Sequence, residues 1–328
     1  MPSTPRPRVV FYGLGTIGRG ALKLALESGA FTVIGGVDPR KDMIGRDLGE
    51  LVDLKKIGVT VSPTLEKALE GREADAAIHT TESRLLLVAK QIRELIDDGL
   101  AVVTSCEEMI YPWHASQKEA DMIDKRAKDR GVCVYGAGVN PGFVMDRLAV
   151  ASLRATSRIR HVMIRRVVDS LTRRPQLRVK TGAGMTPDEF KKLVTAGRMG
   201  HIGLAESALF IARALDRLPN RGIEKVSNVC EPAIAAVEIA APEGKIAKGK
   251  VAGVHQVCEV TLKDGTTIKL DLTIAAGAGA PGDAIEIDGD PPIRLEIQGG
   301  VAGDVATASA LVNAVPVALA APAGIARD

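Results

Sequence analysis

The 328 residues are 46% hydrophobic, 25% charged and 3% aromatic, with 43 Lys and Arg against 40 Asp and Glu. That balance excludes a disordered chain, and 34 glycines without a three-residue period exclude collagen. A net charge of +3 with so few stacking rings argues against nucleic acid as a partner and points to small molecules. At about 150 residues per domain, two domains are expected. The elements follow in order. Arg8-Val9-Val10-Phe11-Tyr12 is an apolar run closed by Gly13, as a buried parallel strand is. Ile17, Ala21, Leu24 and Ala25 then share one helical face until Gly29, a C-terminal stop. Residues 31–37, 74–80, 101–104 and 132–135 read as further buried strands, and 84–98 and 116–130 as helices. Ser116 with Glu119 three residues on predicts a capping box. This alternation predicts an α/β fold whose residues 1–144 form an N-terminal Rossmann dinucleotide-binding domain with a doubly wound parallel sheet.

Past that point the rhythm changes. A strand is expected over 159–168, a capped helix opening at Thr186-Pro187-Asp188-Glu189, and a longer helix over 204–217. Residues 252–262 and 266–274 flank Asp264-Gly265 as a hairpin, and 294–298 adds a strand. Grouped strands with few helices predict a second α+β domain over residues 145–300, built on an antiparallel sheet whose exposed face or edge a partner subunit could cover. Residues 301–328 hold a C-terminal helix from Asp304 to near Pro316; packing back on the first domain is an option periodicity leaves open. Residues 305–326 carry no charge and are long enough to span a bilayer. They are mostly Ala, with Thr307, Ser309, Asn313, Pro316 and Pro322 among them, so a buried helix is the better reading and no membrane partner is expected. The N-terminus has no apolar signal region, and Cys106, Cys133, Cys230 and Cys258 show neither CxxC nor zinc spacing. Reduced thiols, a cytoplasmic setting and no metal are expected.

Gly13-Leu14-Gly15-Thr16-Ile17-Gly18 matches G-x-G-x-x-G where a strand hands over to a helix, and Asp38 ends the next strand 20 residues after Gly18. Gly13 permits the turn, Gly15 admits a pyrophosphate and Gly18 lets helix and strand close up. The helix N-terminus offers free N–H groups to phosphate. Asp38 would accept ribose hydroxyls and favours NAD, while Arg40 and Lys41 keep NADP open. Ligands of such sheets lie beyond the carboxyl ends of the strands, where Thr80 is a further candidate cofactor contact. Glu107 and Glu108 follow another strand at that edge; read alone, two adjacent acids in a loop are most often solvated surface. Cys106 reads as a small core residue, since no histidine is spaced to activate it.

Further segments carry a resemblance. VTSCEEMIYP (103–112), GAGVNPGF (136–143), RVVD (166–169) and GHIGLAES (200–207), with DLGE (47–50) and GDVATASALVNAVP (303–316), resemble the native amine dehydrogenases. These are relatives of 2,4-diaminopentanoate dehydrogenase and similar to dihydrodipicolinate reductase. The resemblance implies a homodimer and NAD(P)-dependent interconversion of an amine with a ketone or aldehyde plus ammonia. It implies that Glu108 is the catalytic glutamate, that Asn140 lies near nicotinamide and substrate, and that Arg166 and His201 are pocket residues. Met145 stands where relatives often carry an aromatic, and Val168 where they commonly read Asn, which suggests a roomier, more apolar pocket. The residue types suit the chemistry: an iminium cation accepts the hydride, and a carboxylate in a dry pocket stabilises it and moves a proton at nitrogen. Two alternatives are an amino-acid pathway dehydrogenase for a diamino acid or a dihydrodipicolinate-like imine, and a non-catalytic dinucleotide sensor.

Overall fold

The computed structural model describes residues 6–173, 175–215, 222–242 and 244–327. Its contacts divide the chain into one unit of Met1–Phe143 with Ala302–Asp328 and another of Val144–Val301.

In the first unit apolar runs alternate with amphipathic ones, and the five strands and three helices expected from them form, joined by short unexpected elements at 61–62, 65–69 and 112–115. Strands β1 (Arg8–Tyr12), β2 (Thr32–Val37), β3 (Val61–Ser62), β4 (Ala76–His79), β5 (Ala101–Thr104) and β6 (Cys133–Gly136) pair in parallel. Helices α1 (Thr16–Ser28), α2 (Leu65–Leu69), α3 (Leu85–Asp97), α4 (Pro112–Ala115) and α5 (Gln117–Arg130) connect them. β4 and β5 are buried along their length, which is why their sequences run apolar without alternating. Ser116 caps α5 by accepting from the Glu119 amide at 3.3 Å. The Glu119 side chain does not complete the box; it pairs with Arg93, and an ion pair across two helices takes the carboxylate from the N-cap amide.

The second unit carries α6 (Arg147–Leu153), β7 (Ser157–Asp169), α7 (Pro175–Lys180), α8 (Pro187–Thr195), α9 (Leu204–Leu215), β8 (Ile223–Ile234), β9 (Ile239–Ala241), β10 (Gly244–Ile246), β11 (Val251–Leu262), β12 (Thr267–Ala275), β13 (Gly282–Asp290) and β14 (Ile293–Gln298). The helix expected over 204–217 is described to Leu215; positions 216 and 217 lie outside the described residues. At α8 the capping box forms in full, with Thr186 accepting from the Glu189 amide and donating its own amide to the Glu189 carboxylate. Six strands assemble in the order β14-β13-β7-β12-β11-β8. This sheet is mixed rather than purely antiparallel, because β7 and β12 run parallel. Hairpin turns force β11 against β12, whereas the long connection from β7 leaves its direction unconstrained. Alternate residues Val254, Gln256, Cys258 and Val260 of β11 and Ile268, Leu270 and Leu272 of β12 are buried, and α9 packs on these strands.

The chain then returns to the first unit. α10 (Gly303–Ala320) packs along α1 and against β4, β5 and β6, and β15 (Gly324–Ile325) pairs in parallel with β6. The seven-stranded order is β15-β6-β5-β4-β1-β2-β3. The helix does not stop near Pro316 but runs through it to Ala320, because Leu311, Val315 and Ala318 are buried and tertiary packing outweighs one missing backbone bond. α10 is long and apolar enough to cross a membrane by length and composition; Leu311, Val312 and Val315 lie in the core of this unit, whereas Val305, Val317 and Leu319 are exposed.

Candidate active site

Strand order reverses between β4 and β1, which makes the edge beyond these two strands the natural cleft of the first unit. There Gly13 adopts φ +93°, and a Cβ on it would lie 2.6 Å from the Thr80 carbonyl oxygen. A Cβ on Gly18 would collide with the Gly13 carbonyl and lie 2.5 Å from the Thr80 hydroxyl. Thr80 donates that hydroxyl to the Gly13 carbonyl at 2.7 Å, so it braces the turn. Gly15 is different. Its φ of −70° suits any residue, and a Cβ there would meet nothing within 4 Å. Neither backbone nor packing requires glycine at 15, whereas a ligand laid along the backbone at the N-terminus of α1 does. Leu14 is buried, Thr16 exposed and Ile17 half-buried in the first turn of α1. The residues present therefore fit a dinucleotide.

At the end of β2, buried Asp38 accepts from the Leu14 amide at 3.0 Å and from the Arg40 amide at 3.0 Å. The Arg40 guanidinium folds back on the same carboxylate, Nε at 2.9 Å and Nη2 at 2.8 Å, and also donates to the Leu14 carbonyl. Burial works to raise the Asp38 pKa, but these hydrogen bonds outweigh it and hold the carboxyl below its ordinary value.

The loops after β4 and β5 are stitched together. Ser105 donates its amide to the His79 carbonyl, and Glu108 its amide and Cys106 its thiol to the Ser83 carbonyl. Glu108 Oε2 accepts from the Leu85 amide, the first residue of α3, at 2.6 Å. One carboxylate oxygen is thus fixed at a helix N-terminus, and Oε1 has no hydrogen bond among the described residues. Beneath this loop His79 is fully buried, its pKa pushed down to about 4 by burial. The Thr104 hydroxyl accepts from the Cys106 amide and donates to Nδ1 of neutral His79, whose Nε2 faces Gln91 at 2.9 Å and Thr81 at 3.0 Å. Burial, with Glu108 nearby, raises the Cys106 thiol far above its ordinary pKa, which agrees with its reading as a core residue.

Asn140 sits in the turn after β6, where Ala137 donates to the Thr104 carbonyl and a Cβ on Gly136 would lie 2.8 Å from the Met109 carbonyl. A Cβ on Gly142, at φ +125°, would collide with the Gly138 amide. The structure thus brings the Glu108 loop and the Asn140 turn against each other at the edge that carries the glycine turn.

Met145, Arg166, Val168 and His201 all belong to the second unit. Met145 is wholly buried at its start, beside Asp146, which accepts from the Ser207 hydroxyl of α9 at 2.8 Å. Arg166 and Asp283 are cross-strand neighbours in a buried ion pair, Nη1 to Oδ1 at 2.5 Å, while Nη2 donates to the Val301 carbonyl. Burial lowers the Arg166 pKa, with Asp283 opposing it. Val168 lies two residues on, half-buried. In the same cross-strand row, beyond Leu272, buried Gln256 accepts from the His201 amide at 2.7 Å and donates to the His201 carbonyl at 3.2 Å. Sequence reasoning missed His79, Gln256 and Asp283. Only His79, a histidine closing a buried strand at the ligand-binding edge, left a local signal.

A doubly wound parallel sheet with this glycine turn and acid, joined to a second unit on a six-stranded sheet, defines a nicotinamide-dinucleotide dehydrogenase. Residues 7–106 match the N-terminal domain of dihydrodipicolinate reductase, and residues 143–327 match the C-terminal domain of 2,4-diaminopentanoate dehydrogenase. The chain belongs to the 2,4-diaminopentanoate dehydrogenase family. It is 26% identical over 325 residues to the 2,4-diaminopentanoate dehydrogenase of Acetoanaerobium sticklandii, covering 97% of this chain and 91% of that one. Among solved structures it is similar to the amine dehydrogenase of Mycobacterium smegmatis, with a TM-score of 0.82, 26% identity and coverage of 98% and 94%. The WlbA dehydrogenase of Bordetella pertussis, solved with NADH, shares the fold at a TM-score of 0.54 and 14% identity, covering 89% of this chain and 79% of its own.

Proposed function

We propose that this protein is an NAD(P)-dependent amine dehydrogenase that interconverts an apolar amine with a ketone or aldehyde plus ammonia. One observation carries the reading: Glu108, at the carboxyl edge of the Rossmann sheet, has Oε2 fixed by the Leu85 amide. The bound coenzyme supplies or takes the hydride. Glu108 holds ammonia or the amine through Oε1 and exchanges a proton there. As the nitrogen becomes an iminium, the carboxylate offsets its charge. Asn140 contributes from the adjoining turn. In the second unit we assign Met145, Val168 and His201 to the substrate, and the His201 backbone is held by Gln256. Arg166 acts by positioning, because its terminal nitrogens are committed to Asp283 and Val301.

That commitment favours apolar amines over diamino acids, since Arg166 has its charge answered by Asp283, and Val168 offers no polar group. The dehydrogenases similar in sequence and structure support the reaction class. We assign the work to a cytoplasmic homodimer. Incubation with NADH or NADPH, ammonium and a panel of ketones and aldehydes tests the reading. Ammonium-dependent loss of absorbance supports it; turnover confined to diamino acids, or binding without turnover, overturns it.

A further inference from the structure

His79 is a buried polar residue that the amine chemistry does not use. It closes β4, whose other residues, Ala76, Ala77 and Ile78, are apolar and as deeply buried. A leucine in its place would pack without the desolvation cost that a polar ring carries. Both ring nitrogens are instead engaged. Gln91 Oε1 can only accept, so Nε2 carries the proton and donates to it at 2.9 Å; Nδ1 is left to accept from the Thr104 hydroxyl at 2.9 Å. The Thr81 hydroxyl strengthens the Gln91 side, donating to the same Oε1 at 2.7 Å.

These partners lead to the two grips on Glu108. Thr104 ends β5, and its hydroxyl accepts from the Cys106 amide at 3.1 Å, two residues before Glu108. The His79 carbonyl holds the same loop by accepting from the Ser105 amide at 3.0 Å. Gln91 lies on α3, whose first amide, that of Leu85, donates to Glu108 Oε2. One rigid ring therefore bridges the loop that carries the carboxylate and the helix that holds its oxygen. We propose that His79 is the positioning residue of this site: it sets α3 against the loop after β5 and so fixes where Glu108 presents Oε1. This rests on reading Glu108 as the group that meets the substrate nitrogen.

The test is turnover of the full-length protein at saturating coenzyme, carbonyl and ammonium, for the wild type and His79→Leu, each with and without Glu108→Gln. Leucine fills the space without either hydrogen bond, and kcat is expected to fall about 10²-fold, the scale of a catalytic group misplaced by about an ångström. With Glu108→Gln already present, His79→Leu is expected to leave the residual turnover unaltered, because no carboxylate remains to aim. A loss of folded protein alone would lower both backgrounds alike. Thr104→Val cuts only the loop side and is expected to imitate His79→Leu, while Thr104→Ser keeps the hydroxyl and is expected to restore kcat; this pair carries the test if His79→Leu does not fold. Near-normal kcat in Thr104→Val, or equal losses with and without the Glu108 carboxylate, overturns the proposal. A wild type without ammonium-dependent turnover, or a Glu108→Gln variant that turns over normally, overturns the reading of Glu108 and this assignment with it.

Discussion

The Leu85 amide donates to Glu108 Oε2 across 23 residues of sequence, tying the start of α3 to the loop that follows β5. Both residues leave the same sheet edge, one after β4 and one after β5, and the bond sets where the carboxylate stands. Glu108→Gln keeps an oxygen for Leu85 and removes the charge. It should cut ammonium-dependent turnover by about 10²–10⁴-fold, with coenzyme affinity and melting temperature close to wild type. Glu108→Ala should add a loss of about 1 kcal/mol in stability, the size of a missing helix cap. Steady-state rates and thermal melts on both variants separate the two effects, and near-normal turnover in Glu108→Gln would move the chemistry elsewhere.

Gly15 and Gly18 make a second pair of outcomes. At Gly15 an added methyl meets open space, so Gly15→Ala should fold with an unchanged melting temperature and bind either dinucleotide far more weakly. At Gly18 the methyl strikes the Gly13 carbonyl and the Thr80 hydroxyl, so Gly18→Ala should lose stability first. Melts beside coenzyme titrations check the contrast. Equal behaviour of the two variants would mean that Gly15 also serves packing.

Much of this was legible in the sequence because the first unit's signals are local. A run such as Arg8–Tyr12 against GLGTIG needs no distant partner to be understood. The second unit hid four strands, the short β9 and β10 and the long β8 and β13. β8 lies at the sheet edge with nearly every residue exposed or part-exposed, so Glu224, Lys225 and Asn228 interrupt any alternation. In β13 the buried positions are Asp283, Ile285, Ile287 and Gly289, of which only two are apolar. Asp283 is tolerable there only because Arg166, 117 residues earlier in the chain, answers its charge, and no local pattern carries that information. The site divided in the same way. The motif singled out Glu108 and Asn140, which the fold puts at the carboxyl edge of the first sheet, while the folding of Arg40 onto Asp38 is a matter of side-chain reach that spacing alone leaves undecided.

His79 gives a pH dependence with a definite sign. Its folded pKa, near 4, lies below the ordinary value of 6.5 because burial disfavours the charged ring. The unfolded chain therefore binds the extra proton first as the pH falls. Stability from the neutral ring is complete above about pH 6.5 and drains away toward pH 4, by roughly 3 kcal/mol in all. Urea midpoints from pH 7.5 to 4 should show this slope in the wild type and lose it in His79→Gln. An identical slope in that variant would assign the acid sensitivity to other groups.

The Arg166 and Asp283 pair tests whether the second unit's polar row is structural. Both side chains are almost wholly buried, 4% and 1% exposed, so removing one leaves the other charged in a medium that cannot solvate it. Asp283→Ala should cost about 3–5 kcal/mol, and it also frees the Val301 amide, which donates to Asp283 at 2.7 Å. Replacing the pair together, as Arg166→Met with Asp283→Leu, should recover most of that loss, since apolar side chains of similar volume owe nothing to desolvation. Recovered stability with normal KM and kcat would make the pair a packing device alone. Recovered stability with a raised KM would show that it holds β7, and with it Val168, in register for the substrate. Denaturant melts and steady-state kinetics on the single and double variants decide between these results, and a double variant as unstable as Asp283→Ala would refute the burial argument itself.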